Sequence, residues 1–399
     1  MSLKDSLEKI LFDKYFLFVS FLFLYMPSRL VSMVPNYIKM PVKLFIIFII
    51  LLYYFIEYIK KIKLDLYIFI YLLIAIVTVF VTFLNGGYYL SAIYNDTLII
   101  LSLIILIYLS LNKDFFLCLK IFSNYCFCII VLNFIVEFIF EIILDYNWTQ
   151  VCIFGNSNVN FDYFYYFFVL QSILFYLNKN KNDLIVLIIG SGLCLFDGKF
   201  HNCHTTNICM IALIIGFIII NYNFLYLKLF NILNPYISLF INVIFYLFFI
   251  LEFNGVNIGQ KVSSLFLNGM TDFNGRMILW KFGIDSIFAK PFGHGLATER
   301  NIQGVQSKLS TFHHTFIHVG YEIGFLGMFL VIALLLLVCY SINKITNNKL
   351  KFYLSIVFLM LLLRFQMSSD AKACFYSFLA FLYFISPLLN RYKYYEIVR

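Results

Sequence analysis

Residues 315–341 read TFIHVGYEIGFLGMFLVIALLLLVCYS, and this stretch decides the fold class. A helix needs about 20 predominantly apolar residues to cross the hydrocarbon core of a bilayer. This segment is long enough, and Glu322 is its one acidic residue, with no Lys or Arg. We predict an all-α polytopic membrane protein that forms one integral membrane domain over residues 1–399. Its twelve predicted transmembrane helices are 15–34, 42–59, 64–84, 94–111, 115–138, 161–177, 184–197, 206–222, 236–253, 315–341, 352–368 and 373–389.

The composition agrees with this class. Hydrophobic residues make up 63% of the chain and charged residues 12%, whereas a soluble domain carries about 25% charged residues. A disordered chain is excluded because such chains are polar and highly charged. More than half of the 29 Lys and Arg residues lie in alternate connecting segments, while loops 85–93 and 139–160 hold none. Because cytoplasmic loops are enriched in Lys and Arg, both termini are predicted to be cytoplasmic.

One long connection departs from this charge rule. Residues 254–314, between the ninth and tenth predicted spans, form an extracytoplasmic (periplasmic) loop in the predicted topology. The loop is basic, although the charge rule disfavours basic outer loops and applies only weakly to long ones. It either binds an anion or is an ordinary solvated loop. Its charged residues are Lys261, Arg276, Lys281, Lys290, Arg300, Lys308, Asp272, Asp285 and Glu299.

An amphipathic helix is predicted near residues 275–289 of this loop. Apolar residues at 277, 280, 284 and 287 share one face, and Pro291 ends the helix. We expect this helix to lie on the outer membrane surface with Trp280 at headgroup level. Arg276 falls in its first turn, where free N–H groups, the helix dipole and a guanidinium favour a phosphate.

The histidines are concentrated near the same face of the membrane. All six lie on the outer face or within one helical turn of it in the predicted topology. His313 stands at the outer mouth of the tenth span, either as a group for proton transfer or as an interfacial polar residue. Gly320, Gly324 and Gly327 follow at a spacing that predicts a small-residue stripe for close helix packing. The His and Cys spacings are weak as metal signatures, and we expect no metal.

Ionisable residues within or beside spans are candidate site residues, because such groups are rare in membranes and usually functional. Glu322 lies in the tenth span and Arg364 in the eleventh. These two either form a pair that fixes helix packing or contact a substrate. Lys199 is the one Lys or Arg in the short outer loop 198–205.

The stretch 275–327 resembles the membrane superfamily of O-antigen polymerases (Wzy) and O-antigen ligases (WaaL). The resemblance rests on the order and spacing of several short motifs, and on the large late outer loop. The chain has His314 where the family usually has Asn. A weaker similarity covers residues 154–160, FGNSNVN. The motifs read Gly275-Arg276, Trp280, Pro291-Phe292-Gly293-His294-Gly295, His313-His314-Thr315-Phe316-Ile317 and Glu322-Ile323-Gly324-Phe325-Leu326-Gly327.

The resemblance implies a metal-independent glycosyltransferase without a cofactor, at the outer face of the bacterial inner (plasma) membrane. Its donor is a glycan on undecaprenyl pyrophosphate. By this resemblance His313 is the catalytic base and Arg276 stabilises the leaving pyrophosphate. The candidate substrate-binding residues are Arg300, Lys281, His314, Lys199, Glu322 and Arg364.

The resemblance leaves the acceptor open. A polymerase, the first interpretation, transfers the growing glycan to the next lipid-linked repeat unit, and the alternative, a ligase, transfers it to lipid A–core. The third interpretation is a lipid-linked oligosaccharide flippase. A transporter of that class is expected to show internal repeats and charged residues near the middle of the membrane. The implied partners are the lipid-linked oligosaccharide and membrane lipid, with a chain-length regulator and a flippase of the pathway as candidate protein partners. No nucleic acid is expected.

Overall fold

A computed structural model describes residues 3–25, 34–61, 64–87, 90, 92–139, 157–200, 204–222, 233–250, 252–253, 256–257, 276–296, 314–366 and 372–396. Over these residues the chain is almost entirely helical. The helices are α1 (Leu3–Leu11), α2 (Lys14–Tyr25), α3 (Asn36–Lys61), α4 (Leu66–Leu84), α5 (Ile99–Lys113), α6 (Phe115–Glu137), α7 (Ser157–Asn178), α8 (Lys181–Phe200), α9 (His204–Tyr222), α10 (Pro235–Ile250), α11 (Arg276–Ala289), α12 (Thr315–Asn343), α13 (Asn348–Gln366) and α14 (Lys372–Glu396).

Three short elements complete the description. A π-helical segment, Ala92–Leu98, leads into α5. After α10, strand β1 (Glu252–Phe253) pairs antiparallel with β2 (Val256–Asn257). These strands and α11 are the regular elements that the structure describes within residues 251–313.

Five helices are long and apolar enough to cross a membrane. They are Asn36–Glu57 of α3, the whole of α4, α6 and α12, and Lys372–Asn390 of α14. Shorter apolar helices cover Lys14–Tyr25, Ile99–Lys113, Thr206–Asn221 and Pro235–Phe245. The prediction of a helical, membrane-embedded protein is confirmed at this level. Each of the predicted spans overlaps a helix, while twelve crossings and cytoplasmic termini stay predictions.

Aspartates fix where several helices begin. The Asp65 carboxylate accepts a hydrogen bond from the N–H of Tyr67 at 2.8 Å, where α4 starts. Asp114 likewise accepts from the N–H of Leu117 at 2.9 Å, at the start of α6. Such caps satisfy N–H groups that have no partner within their own helix. These two caps therefore fix the starts of α4 and α6.

Aromatic side chains fill the centre of the bundle. Residues 163–170 of α7, YFYYFFVL, are all buried. Tyr166 packs edge-on against Tyr25 of α2, with ring centroids 5.0 Å apart, and lies 4.9 Å from the ring of Phe122 of α6. Its hydroxyl lies 2.6 Å from Oγ of Ser377, which ties α7 to α14. The high aromatic content thus serves packing, and the buried hydroxyl has a partner, as such groups require.

Helix α11 packs against protein, which corrects one prediction. Trp280 and Ile287 are buried in a small cluster with Ile317 and Tyr321 of α12. The buried face of α11 therefore lies on α12, and Trp280 packs between helices where the sequence predicts contact with lipid headgroups, while its level in the membrane stays a prediction. The exposed side of α11 carries Lys281. The physical reason is that an indole buried between two helices loses more contact with water than one held at an interface.

Candidate functional site

A turn within residues 254–314 joins α12 by backbone hydrogen bonds. The turn, Pro291–Leu296, follows α11 directly. The N–H of His294 donates to the carbonyl of Tyr321 at 2.8 Å, and the N–H of Gly295 donates to the carbonyl of Glu322 at 2.9 Å. In return, the N–H of Phe325 donates to the carbonyl of Pro291 at 2.9 Å. Two motifs about thirty residues apart in the sequence therefore form one unit.

The helix α12 is broken where this turn docks. Gly324 has φ 66° and ψ −166°, which is not helical. A Cβ at Gly324 would lie 2.1 Å from the carbonyl oxygen of Pro291, and one at Gly293, with φ 91°, would lie 2.4 Å from the carbonyl oxygen of Glu322. Only glycine fits such conformations at such distances. The spacing predicts a packing stripe that includes Gly324, whereas the structure places a break of the helix at this residue.

The break is compatible with a membrane because backbone groups of the turn replace the hydrogen-bond partners that α12 loses at Gly324. Within lipid, a polar backbone group without a partner is strongly unfavourable, so non-helical backbone is tolerated only where protein or water satisfies it. In an unbroken helix the N–H of Phe325 would donate to the carbonyl of Tyr321. Here Tyr321 accepts from the turn and Phe325 donates to it. Broken membrane helices of this kind often line substrate and ion sites.

Helix α4 holds the turn from the other side. The hydroxyl of Thr82 accepts a hydrogen bond from the N–H of Leu296 at 3.1 Å. The side-chain amide of Asn85 donates to the carbonyl of Gly293 at 3.4 Å, and its oxygen accepts from the ammonium of Lys290. The turn is thereby fixed between α4 and α12.

A buried ionic cluster lies beside the break. The ammonium of Lys372, at the start of α14, lies 2.5 Å from Oε1 of Glu322, and Nε2 of His318 lies 3.1 Å from the same oxygen. The exposed fractions of the side chains are 16% for Lys372, 8% for His318 and 6% for Glu322. Burial makes such a pair sensitive to the loss of either partner. The cation that contacts Glu322 is Lys372, where the sequence suggested Arg364.

His314 caps α12. Its Nδ1 accepts from the N–H of Ile317 at 3.4 Å, and its ring lies edge-on to Trp280 with centroids 5.3 Å apart. Burial lowers the pKa of His314 to about 3. The imidazole is therefore neutral at physiological pH, and its described contacts are those of a cap. The substrate contact that the resemblance implies for His314 stays a prediction.

His294 belongs to the docked turn. Its ring stacks on Tyr321 with centroids 4.2 Å apart and an interplanar angle of 10°. Its Nε2 lies 3.1 Å from the carbonyl oxygen of Ser286 in α11. These contacts join α11, the turn and α12, and together they hold the non-helical backbone at Gly324 in place.

The other predicted site residues lie on several different helices or outside the described residues. Lys281 is exposed on α11, and Lys199 is exposed in the last turn of α8, which packs mainly on α6, α7 and α9. Arg364 is buried in the last turn of α13. Arg276 is the first residue of α11, but its side chain lies outside the described part. His313 and Arg300 are outside the described residues altogether.

Sequence reasoning missed Lys372 and His318 as partners of Glu322. One signal was available for Lys372, since it is a Lys at the predicted outer end of the last span, where basic residues are scarce. It also missed a second buried polar group. There the amide of Asn133 donates to Glu137 at 2.6 Å and to Asp197 at 3.1 Å, between α6 and α8.

No group of three or more His, Cys, Asp or Glu residues suited to a metal occurs among the described residues. His201, Cys203 and His313 lie outside that part of the chain. The ionisable side chains that the described part of the site brings into contact are Glu322, His318 and Lys372.

Comparison with known proteins adds no relative. No family model matches the chain, and no curated protein matches it significantly. What points to a function is therefore the set of motif residues and the way the chain places them.

Proposed function

We propose that this chain is a glycosyltransferase of the bacterial inner membrane that polymerises lipid-linked glycan repeat units, as O-antigen polymerases do. One observation carries the proposal. The segments 291–295 and 322–327, which carry the resemblance, interlock around the break at Gly324. A buried cluster able to move protons and balance charge lies at this break. A stripe of glycines that served helix packing alone would not need the turn.

The reaction requires positively charged groups that bind the leaving pyrophosphate. The start of α11 supports this role, because N–H groups at a helix N-terminus and the helix dipole favour a phosphate. Arg276 is the first residue of this helix. In the proposal its guanidinium binds the pyrophosphate, with Lys281 and Arg300 as further cations. A histidine at the mouth of α12 takes the acceptor proton, and the motif register points to His313.

The lipid part of the donor requires apolar surface beside the site. Phe292 of the docked turn is 83% exposed. Phe288 of α11 and Phe325 of α12 are also exposed, and their rings pair with centroids 5.5 Å apart. This surface is suited to a polyprenyl chain whose pyrophosphate reaches the turn, because apolar side chains favour a hydrocarbon environment.

A deletion strain tests the proposal through its lipopolysaccharide. We expect lipid A–core bearing a single repeat unit, because ligation continues without polymerisation. Bare core together with lipid-linked polymer would instead identify a ligase. Single lipid-linked units retained on the cytoplasmic side would identify a flippase. Long chains at normal levels would contradict all three.

Arg276→Ala tests the pyrophosphate contact. We expect it to abolish long glycan chains while the protein stays in the membrane at its normal level, since the leaving group loses its cation. Lys344→Ala is the matched control, because it removes a cation from the end of α12 remote from the turn. Normal chain lengths in Arg276→Ala would contradict the pyrophosphate role.

A further inference from the structure

Two lysines lie in line with the buried stripe of α3. Ile46 and Ile50 of this stripe are buried. Toward the start of the helix the same face continues with Lys43 and Lys39 at helical spacing, and both side chains are partly buried, whereas the neighbouring Leu44 is exposed. The two lysines therefore lie on the side of α3 that packs on the bundle.

The two ammonium groups are placed unfavourably in the absence of an anion. Neither has a salt bridge or a hydrogen bond with any residue that the structure describes. Like charges four residues apart on a helix repel each other. Lys39 also lies in the first turn of α3, where the helix dipole disfavours a cation. Cations within a membrane-spanning segment usually mark a substrate or ion site, so the pair is suited to an anionic ligand.

The start of α3 lies at the same end of the bundle as the docked turn. Near their C-terminal ends, Glu57 of α3 and Lys113 of α5 both form salt bridges with α1. Tyr54 of α3 packs on Tyr108 of α5, with ring centroids 6.3 Å apart. The two helices therefore run in the same direction. Because α5 follows α4 through the short connection 85–98, the starts of α3 and α5 lie where α4 ends and holds the turn.

A polymerase of lipid-linked repeat units needs a second site for pyrophosphate. Donor and acceptor both carry this group, but only that of the donor leaves. The reacting hydroxyl is on the terminal sugar of the acceptor, so the acceptor pyrophosphate lies a repeat unit away from the reaction. Helix α3 packs mainly on α1, α2 and α5, whereas α4 and α12 hold the turn. The lysine pair is thus at the required end of the bundle and apart from α11.

The surface beside the pair suits the rest of such a lipid. Leu44, Phe45 and Phe48 of α3 are exposed, and apolar side chains favour a hydrocarbon chain. A pyrophosphate diester carries one negative charge on each phosphate, which matches two ammonium groups, while a phospholipid phosphodiester carries a single charge.

We propose that Lys39 and Lys43 bind the pyrophosphate of the acceptor, the lipid-linked repeat unit that receives the growing glycan, an inference that rests on the proposed function. The two lysines hold the acceptor by its lipid end while its terminal sugar reaches the docked turn. Arg276 serves the leaving pyrophosphate of the donor, so the two lipid-linked substrates bind to different cations.

Varying the acceptor tests this assignment. The purified full-length protein, in phosphatidylcholine proteoliposomes, receives a lipid-linked polymer as donor and a labelled acceptor. The acceptor is either the undecaprenyl-pyrophosphate-linked repeat unit or the octyl glycoside of the same unit, which has no phosphate. Lys39→Met combined with Lys43→Met raises the KM for the lipid-linked acceptor about tenfold or more and leaves kcat within about threefold. The KM for the octyl glycoside does not change.

Two further variants control for charge and for position. Lys39→Arg combined with Lys43→Arg keeps both cations, so its KM for the lipid-linked acceptor stays within about threefold of the wild type. Lys344→Met combined with Lys351→Met removes two cations where α12 ends and α13 begins, and leaves both KM values unchanged.

Three results would overturn the inference. An unchanged KM for the lipid-linked acceptor in the Lys39 and Lys43 double Met variant would exclude the contact. An equal loss with the octyl glycoside would make the lysines structural. A loss that appears only when the vesicles contain phosphatidylglycerol would assign the pair to a phospholipid. A wild-type protein that extends neither acceptor would instead contradict the proposed function itself.

Discussion

The two halves of α12 differ in what surrounds them. From Thr315 to Gly324 every residue except Phe316 is buried. From Phe325 onward, burial is confined to one stripe, and large apolar side chains of the other face are exposed. The exposed ones are Phe325, Leu326, Phe329, Ile332, Leu336 and Tyr340. The N-terminal half is therefore enclosed by protein, while the C-terminal half presents one apolar face to its surroundings.

The ionisable side chains of α12 lie in the half that protein encloses. Charged and polar side chains in a bilayer face protein or water and have partners. His318 and Glu322 both lie in the enclosed half, and the backbone break lies at its end. The C-terminal half, from Phe325 to Asn343, has an apolar stripe and contains no Asp, Glu, Lys, Arg or His. The candidate site and the regular apolar segment therefore occupy different halves of the same helix.

Removing the break is expected to have the largest effect. Gly324→Ala forces a side chain into a conformation that is almost exclusive to glycine, and against the carbonyl of Pro291. With strain of about 2 kcal/mol and up to three backbone hydrogen bonds weakened, we expect a loss of about 4–5 kcal/mol in the free energy of unfolding. Denaturant titration in detergent micelles measures it.

Gly192→Ala in α8 is the matched control for Gly324→Ala. Nothing lies within 4 Å of a Cβ at this position, and alanine stabilises a helix relative to glycine by up to about 1 kcal/mol. Stability equal to the wild type in Gly324→Ala would show that α12 can run straight, and the two halves would then be one continuous span.

Breaking the ionic cluster is expected to have the second-largest effect on the free energy of unfolding. Lys372→Met leaves the buried carboxylate of Glu322 with His318 alone, and we expect a loss of about 3 kcal/mol. Lys372→Met combined with Glu322→Leu removes both charges, so its destabilisation should be smaller than the sum of the two single losses by about 2 kcal/mol. Additive losses in this double-mutant cycle would mean that the two groups do not interact.

The smallest of the three effects concerns the contact of the turn with α4. Thr82→Val keeps the shape of the side chain but leaves the N–H of Leu296 without its acceptor. We expect a loss of about 1 kcal/mol in the free energy of unfolding, the usual effect of losing one buried hydrogen bond. Lys113→Met, which alters a partly exposed contact with Glu8, should change stability by less. A larger loss of stability in Lys113→Met than in Thr82→Val would contradict this prediction.

The helices were predictable from the sequence for a physical reason. Each long apolar run must satisfy its own backbone groups in lipid, so it must be helical wherever it ends up. The start of α11 next to Arg276 and its end before Pro291 also followed from local signals. These features depend on neighbours in the chain.

The site depends on contacts between helices, which the sequence does not state. The spacing of Gly320, Gly324 and Gly327 fits a packing stripe as well as a break, and the docked turn decides between them. Glu322 could be singled out because a carboxylate in a span is rare. Its pairing with Lys372 could not be predicted, because only the approach of α14 to α12 brings the two side chains together.

The most direct test of the proposed function uses the purified protein in proteoliposomes with a single substrate, an undecaprenyl-pyrophosphate-linked repeat unit. The account predicts a ladder of glycans at multiples of the repeat unit, with one undecaprenyl pyrophosphate released for each bond formed. An unchanged repeat unit, under conditions in which the same protein transfers a finished glycan to lipid A–core, would contradict it.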